Sequence, residues 1–148
     1  MTPPHPSDSG AQTAAEATIL ALLGEDIGVT LLQGREVALG GVKVRPDGMA
    51  ADGSVVVEVF AHIGKLKGGQ RHKVSTDALK LLAIREAHPN ARLILAFADE
   101  TAAASVSGWK AETLKANGIE IHTVDLSPED GAKIVAAQEQ QKMVNAPE

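Results

Sequence analysis

The chain reads as an α/β protein with a mixed β-sheet flanked by helices. Three observations predict this. Val55 to His62 is a β-branched run, the strongest strand candidate in the sequence. Strand-like and helix-like segments alternate after it, as in parallel β–α–β units. Before it, short apolar runs broken by glycine suggest an antiparallel meander.

Taken in order, the tail Met1 to Asp8 is rich in proline and polar residues and is expected to be disordered. Residues 9–148 form the single expected domain. Ser9 and Gln12 have the spacing of a capping box, and a first helix follows to about Leu23, where Gly24 should stop it. Its apolar stripe is Ala15, Ile19, Leu22 and Leu23, with Glu16 on that stripe. Arg35 to Leu39 is a weak strand and Val42 to Arg45 a second. Pro46 to Gly53 is a turn region. After the Val55 strand comes a glycine-rich loop (Gly64, Gly68, Gly69) and a helix from Gln70 to Ala87, ended by His88-Pro89-Asn90. Arg92 to Ala98 is a buried strand, Glu100 to Asn117 a helix, and Ile119 to Asp125 a strand. Ser127 caps a last helix, with Pro128 at its first position and Met143 near its end. The expected order is α-β-β-β-α-β-α-β-α.

Composition narrows the chemistry. The 148 residues include no cysteine, which removes disulfides, thiolate metal sites and cysteine nucleophiles. Aromatic residues are only 2%, so the core must be aliphatic and stacking platforms for bases are scarce. The longest apolar runs are too short to span a bilayer, and the first residues lack a basic segment, so the expectation is a cytoplasmic protein without a membrane partner. A net charge of −5 argues against a surface coated for nucleic acid. Lys65, Lys67, Arg71 and Lys73 nevertheless form an acid-free basic stretch, either a phosphate-binding patch or simply a solvated loop and helix start.

Asp47 precedes the strongest strand across a turn, and Glu58 lies within it. Side chains alternate along a strand, so Val56, Glu58 and Phe60 share one face and Val55, Val57 and Val59 the other. A carboxylate among apolar neighbours is costly unless paired or metal-bound. If a hairpin brings Asp47 to Glu58, a divalent cation would relieve their repulsion, and magnesium suits an oxygen-only site. The plainer reading makes Asp47 a turn residue and pairs Glu58 with Lys43 or Arg45. On the second helix Gln70, Val74, Asp77 and Leu81 share a face that should meet the sheet, flanked by Lys73 and Lys80.

This element order, the Pro46-Asp47…Glu58-Val59-Phe60 segment and Gln70 at the start of the second helix resemble the PD-(D/E)xK nuclease-like superfamily, with its restriction-endonuclease-like fold, over roughly Ala11 to Ala98. The resemblance implies metal-dependent hydrolysis of DNA phosphodiesters with Mg2+ or Mn2+. Asp47 and Glu58 would hold the metal with support from Glu16, and Lys65, Lys67, Gln70, Arg71 and Lys73 would contact nucleic acid. The motif departs from the family at one place: Phe60 stands where the family has its lysine. Lys73 and Lys80 are candidates to replace it, as are Lys43, Lys65 and Lys67. Three readings follow: a nuclease, a catalytically degenerate nuclease-like module that binds or assembles with a protein partner, and an unrelated α/β protein sharing only element order. The oligomeric state is left open.

Overall fold

The structure is a computed structural model that describes residues 10–145; the expected tail and the Ser9 cap lie outside that range. The chain is α/β, with a mixed five-stranded sheet flanked by helices. Helix α1 (Gly10–Ile27) leads into β1 (Leu31–Leu32), β2 (Val37–Leu39), β3 (Val42–Val44), β4 (Gly48–Ala50) and β5 (Val55–Phe60). Then come α2 (Gly69–Ala87), β6 (Arg92–Phe97), α3 (Glu100–Ala104), α4 (Gly108–Ala116), β7 (Ile119–Thr123) and α5 (Pro128–Asn145). The sheet order is β1-β4-β5-β6-β7. The β1–β4 and β4–β5 pairs are antiparallel, whereas β5–β6 and β6–β7 are parallel.

Alternation along β5 divides the core in two. Val56 and Phe60 pack with Val74, Ala78, Leu81 and Ile84 of α2. Val55, Val57 and Val59 pack on the opposite face with Ile19, Leu20 and Leu23 of α1 and Ile134 of α5. In β6, Leu93 to Phe97 are all buried, as befits a strand covered on both faces.

Four expected boundaries differ. First, the strands near Arg35–Leu39 and Val42–Arg45 exist, but they form a separate two-stranded hairpin and not part of the main sheet. The strand beside β5 is β4, inside the stretch expected to be a turn, and β1 pairs on its far side. Gly48 explains why β4 fits there: a Cβ on it would lie 2.4 Å from Leu20 Cδ2, so the bare backbone lets α1 press onto the sheet. Second, Gly24 does not end α1. The chain turns back so tightly that a Cβ there would lie 2.5 Å from the Val29 carbonyl oxygen, and Gly28, at φ +73°, ends the helix instead. Third, the helix expected over 100–117 is broken at Ser105-Val106-Ser107, and Gly108, which opens α4, has φ +64°. Fourth, β5 ends at Phe60, short of the expected His62. The Ser127 cap stands as expected, its Oγ accepting the Asp130 N–H at 3.1 Å. Among the described residues no helix is long and apolar enough to cross a membrane.

Candidate carboxylate–lysine site

The antiparallel register of β4 and β5 pairs Gly48 with Val57. One step further along the ladder, Asp47 faces Glu58. The two residues lock together through backbone and side chain: the Asp47 N–H donates to Glu58 Oε2 at 3.1 Å, and the Val59 N–H donates to Asp47 Oδ2 at 2.8 Å. Asp47 is half-buried, while Glu58 is 1% exposed beneath α2.

Such a buried acid needs compensation. Lys80 of α2 supplies part of it, with Nζ 2.5 Å from Glu58 Oε1. That approach meets the distance of an ion pair without the direction of a hydrogen bond, so Oε1 is a buried acceptor lacking a well-aligned donor. Burial, and then Asp47 beside it, push the Glu58 carboxyl up to about 8 against the pull of Lys80. Lys43 and Arg45, the alternative partners for Glu58, pair with Glu36 within the hairpin instead.

Lys73 stands one turn before Asp77 on α2 and donates to Asp77 Oδ2 at 2.6 Å. Its Nζ also lies 4.5 Å from the centre of the Phe60 ring. Burial pulls this ammonium down, but the Asp77 hydrogen bond and the charges of Asp77, Asp47 and Glu58 outweigh it and hold its pKa above the ordinary value. Asp77 is buried and directed inward, as the helical spacing predicts.

Glu16 is half-buried on α1. Burial and the Asp47 charge push it up to about 7, partly offset by Lys73, a Gln12 hydrogen bond and Lys80. It borders a cavity of about 460 Å³ whose wall also includes Val59, Phe60, His62, Gln70 and Lys73. Gln70 spends its amide locally: Oε1 accepts the Lys67 N–H at 3.3 Å, and Nε2 donates to His62 Nδ1 at 3.2 Å. His62 therefore presents an unprotonated Nδ1, consistent with burial lowering its pKa. Lys65, Lys67 and Arg71 are exposed on the loop and first turn beside the cavity.

The structure thus brings together Asp47, Glu58, Lys73 and Lys80, sets Glu16 and Gln70 along the adjoining cavity, and leaves Lys65, Lys67 and Arg71 in solvent. Sequence reasoning missed the residues that fix the loop between β5 and α2. Gln138 of α5 accepts the Ile63 N–H through Oε1 at 2.6 Å and donates through Nε2 to the Ile63 carbonyl at 3.2 Å. Asp99 Oδ2 accepts the Gly64 N–H at 2.8 Å, and Ser105 Oγ accepts the Leu66 N–H at 3.0 Å. Gln138 gives no local signal because it lies 75 positions from its partner.

Among the described residues, no three His, Asp or Glu side chains are grouped to hold a metal ion. Magnesium typically takes one or two carboxylates and keeps its waters, so Asp47 and Glu58 are the residues that would hold such an ion, with Lys80 competing for Glu58 Oε1. No protein-family model matches the chain, and neither curated proteins nor solved structures give a significant match.

Proposed function

We propose that this chain is a nuclease-like domain of the PD-(D/E)xK type, with a restriction-endonuclease-like arrangement, that hydrolyses DNA phosphodiesters slowly with Mg2+ or Mn2+. The observation that carries this reading is the reciprocal Asp47–Glu58 contact across β4 and β5. A cation held by Asp47 and Glu58 would supply Lewis-acid activation of water and phosphate.

The surrounding residues fit distinct tasks. Lys73 stays charged and reaches the space over Phe60, so it suits stabilising negative charge on a phosphate and not taking a proton. Glu16, near 7, has the proton affinity of a general base or acid at neutral pH. Lys65, Lys67 and Arg71 are free to meet phosphates in solvent, where each neutralised phosphate releases counterions and makes binding salt-dependent.

One observation favours a second reading, a catalytically degenerate module that binds DNA or a protein partner. Lys80 already neutralises Glu58 at 2.5 Å, which competes with a cation for the same carboxylate. A plasmid-nicking assay separates the two. The nuclease reading expects slow nicking in Mg2+ or Mn2+, none in EDTA, and loss with Glu58→Ala. Nicking that survives Glu58→Ala overturns it, and no nicking by folded wild-type protein supports the module.

A further inference from the structure

Trp109 is 74% exposed at the start of α4, whereas Phe60 and Phe97 are buried and stacked with ring centres 4.8 Å apart. Lys110 Nζ lies 5.9 Å from the centre of the indole and reaches across to the Arg71 carbonyl oxygen at 3.4 Å. That contact ties the ring to the first turn of α2, where Gln70, Arg71 and Lys73 are consecutive or nearly so. Residues two apart on a helix are roughly 200° apart around its axis, so Arg71 and Lys73 occupy opposite flanks of α2.

We infer that Trp109 is a stacking platform for an unpaired base, making the preferred substrate a nucleic acid with single-stranded character beside the site. The inference rests on the nuclease-like reading for its substrate class and adds a binding residue to it. Charge decides the occupant. The ring is bordered by one cation, Lys110, which lies over its face and reaches the Arg71 carbonyl. Its neighbours one turn along α4 are Glu112 and Thr113, both exposed. An apolar protein partner would meet an ammonium, a carboxylate and a hydroxyl around a single ring, whereas a nucleotide offers a flat base to the indole and a phosphate to Lys110. The scarcity of aromatics allows only this one platform on the described surface, so the expected contribution is that of one base.

The chain holds a single tryptophan and no tyrosine, so intrinsic tryptophan emission reports Trp109 alone. The test uses the full chain in EDTA at low salt, which silences cleavage. The probes are an end-labelled oligothymidylate of about a dozen residues, within the site size of single-strand binders, and a blunt duplex of the same length. Label anisotropy reads binding and tryptophan emission reads stacking. The expected result is quenching of Trp109 by the oligothymidylate, with less by the duplex. Trp109→Ala should weaken oligothymidylate binding about 5- to 150-fold, the effect of one lost stacked base, and Trp109→Phe should recover most of it.

Binding with unchanged emission and an unaffected Trp109→Ala variant overturns the inference. So does the absence of oligothymidylate binding, or Trp109-dependent self-association in sedimentation, which would mark the ring as a protein contact. The two readings fail separately. Metal-dependent nicking without quenching removes only the stacking role, and quenching without nicking removes only catalysis.

Discussion

The Lys73 ammonium lies 4.5 Å above the centre of the Phe60 ring. On the proposed nuclease reading, Lys73 would supply from α2 the cation that strand position 60 lacks. Lys80 is committed to Glu58 instead. The two lysines hold different carboxylates. Lys73→Ala should slow cleavage by about 10²–10³-fold, the usual scale of one charge-stabilising group, and lower the melting temperature because it strips the buried Asp77 of its cation. Lys80→Ala should lower the melting temperature as well, because it strips the buried Glu58 of its cation. Equal rates for wild type and Lys73→Ala would rule out the relocated lysine.

Stability should depend on pH with a definite sign. Glu16 and Glu58 hold protons in the fold up to about 7 and about 8, against an ordinary value of 4.5. Between those values the folded chain binds more protons than the unfolded one. Their contribution is complete below about 4.5 and is lost as pH rises through 7 to 8. Glu120 acts oppositely: Arg92 above all holds it down to about 2, so its contribution is present above 4.5 and lost as pH falls through about 2. Thermal midpoints should therefore peak near pH 5 and decline toward pH 8. Glu58→Gln should flatten the alkaline limb, as should millimolar Mg2+ if it replaces the Glu58 proton. A midpoint that rises steadily from pH 5 to 8 would contradict these assignments.

Gly24 offers a test of how α1 is docked. Alanine gains about 1 kcal/mol of helix propensity over glycine. At position 24 its Cβ would meet the Val29 carbonyl oxygen at 2.5 Å, a backbone atom that cannot swing aside. Overpacking of this kind costs about 1–3 kcal/mol, so the clash should win and lower the melting temperature by several degrees. Gly10→Ala, with nothing within 4 Å, should be neutral or slightly stabilising. Matching behaviour of the two variants would mean the turn after α1 is looser than described.

Gln138→Ala should open the loop between β5 and α2 without unfolding the chain. It removes both partners of Ile63, and a part-buried amide left unsatisfied costs about 1–3 kcal/mol. Hydrogen exchange should accelerate at Ile63 while the amides of β6 stay protected. Unchanged exchange at Ile63 would show that Asp99 and Ser105 hold the loop unaided.

Much of the fold was legible because periodicity reports burial directly. The β-branched run of β5 and its alternation placed Glu58 under α2, and helical spacing placed Asp77 inward. Strand β4 escaped because Gly48-Met49-Ala50 has neither β-branched residues nor alternation; it is a strand because it pairs with β1 and β5, and Gly48 leaves room for Leu20 over it. Gly24 misled for a related reason: glycine marks both chain reversal and close approach, and only the tertiary position of Val29 distinguishes them. Within the site, the Asp47–Glu58 contact followed from a hairpin, although the hairpin strand is β4 and not the Val42 run. The preference of Glu58 for Lys80 over Lys43 or Arg45 depended on which hairpin joined the sheet, which no local pattern encodes.

The central claim is that Asp47 and Glu58 act together on a divalent cation during cleavage. The most direct measurement is the nicking rate of supercoiled plasmid as a function of Mn2+ concentration, in wild type and in Asp47→Asn, with circular dichroism confirming that both are folded. The predicted result is a saturable rise for the wild type, and for Asp47→Asn a curve displaced to at least about tenfold higher Mn2+ with a lower plateau, since even loss of a residue that only supports a ligand typically costs about 10–100-fold in metal affinity or activity. Identical curves, or nicking independent of Mn2+, would contradict it.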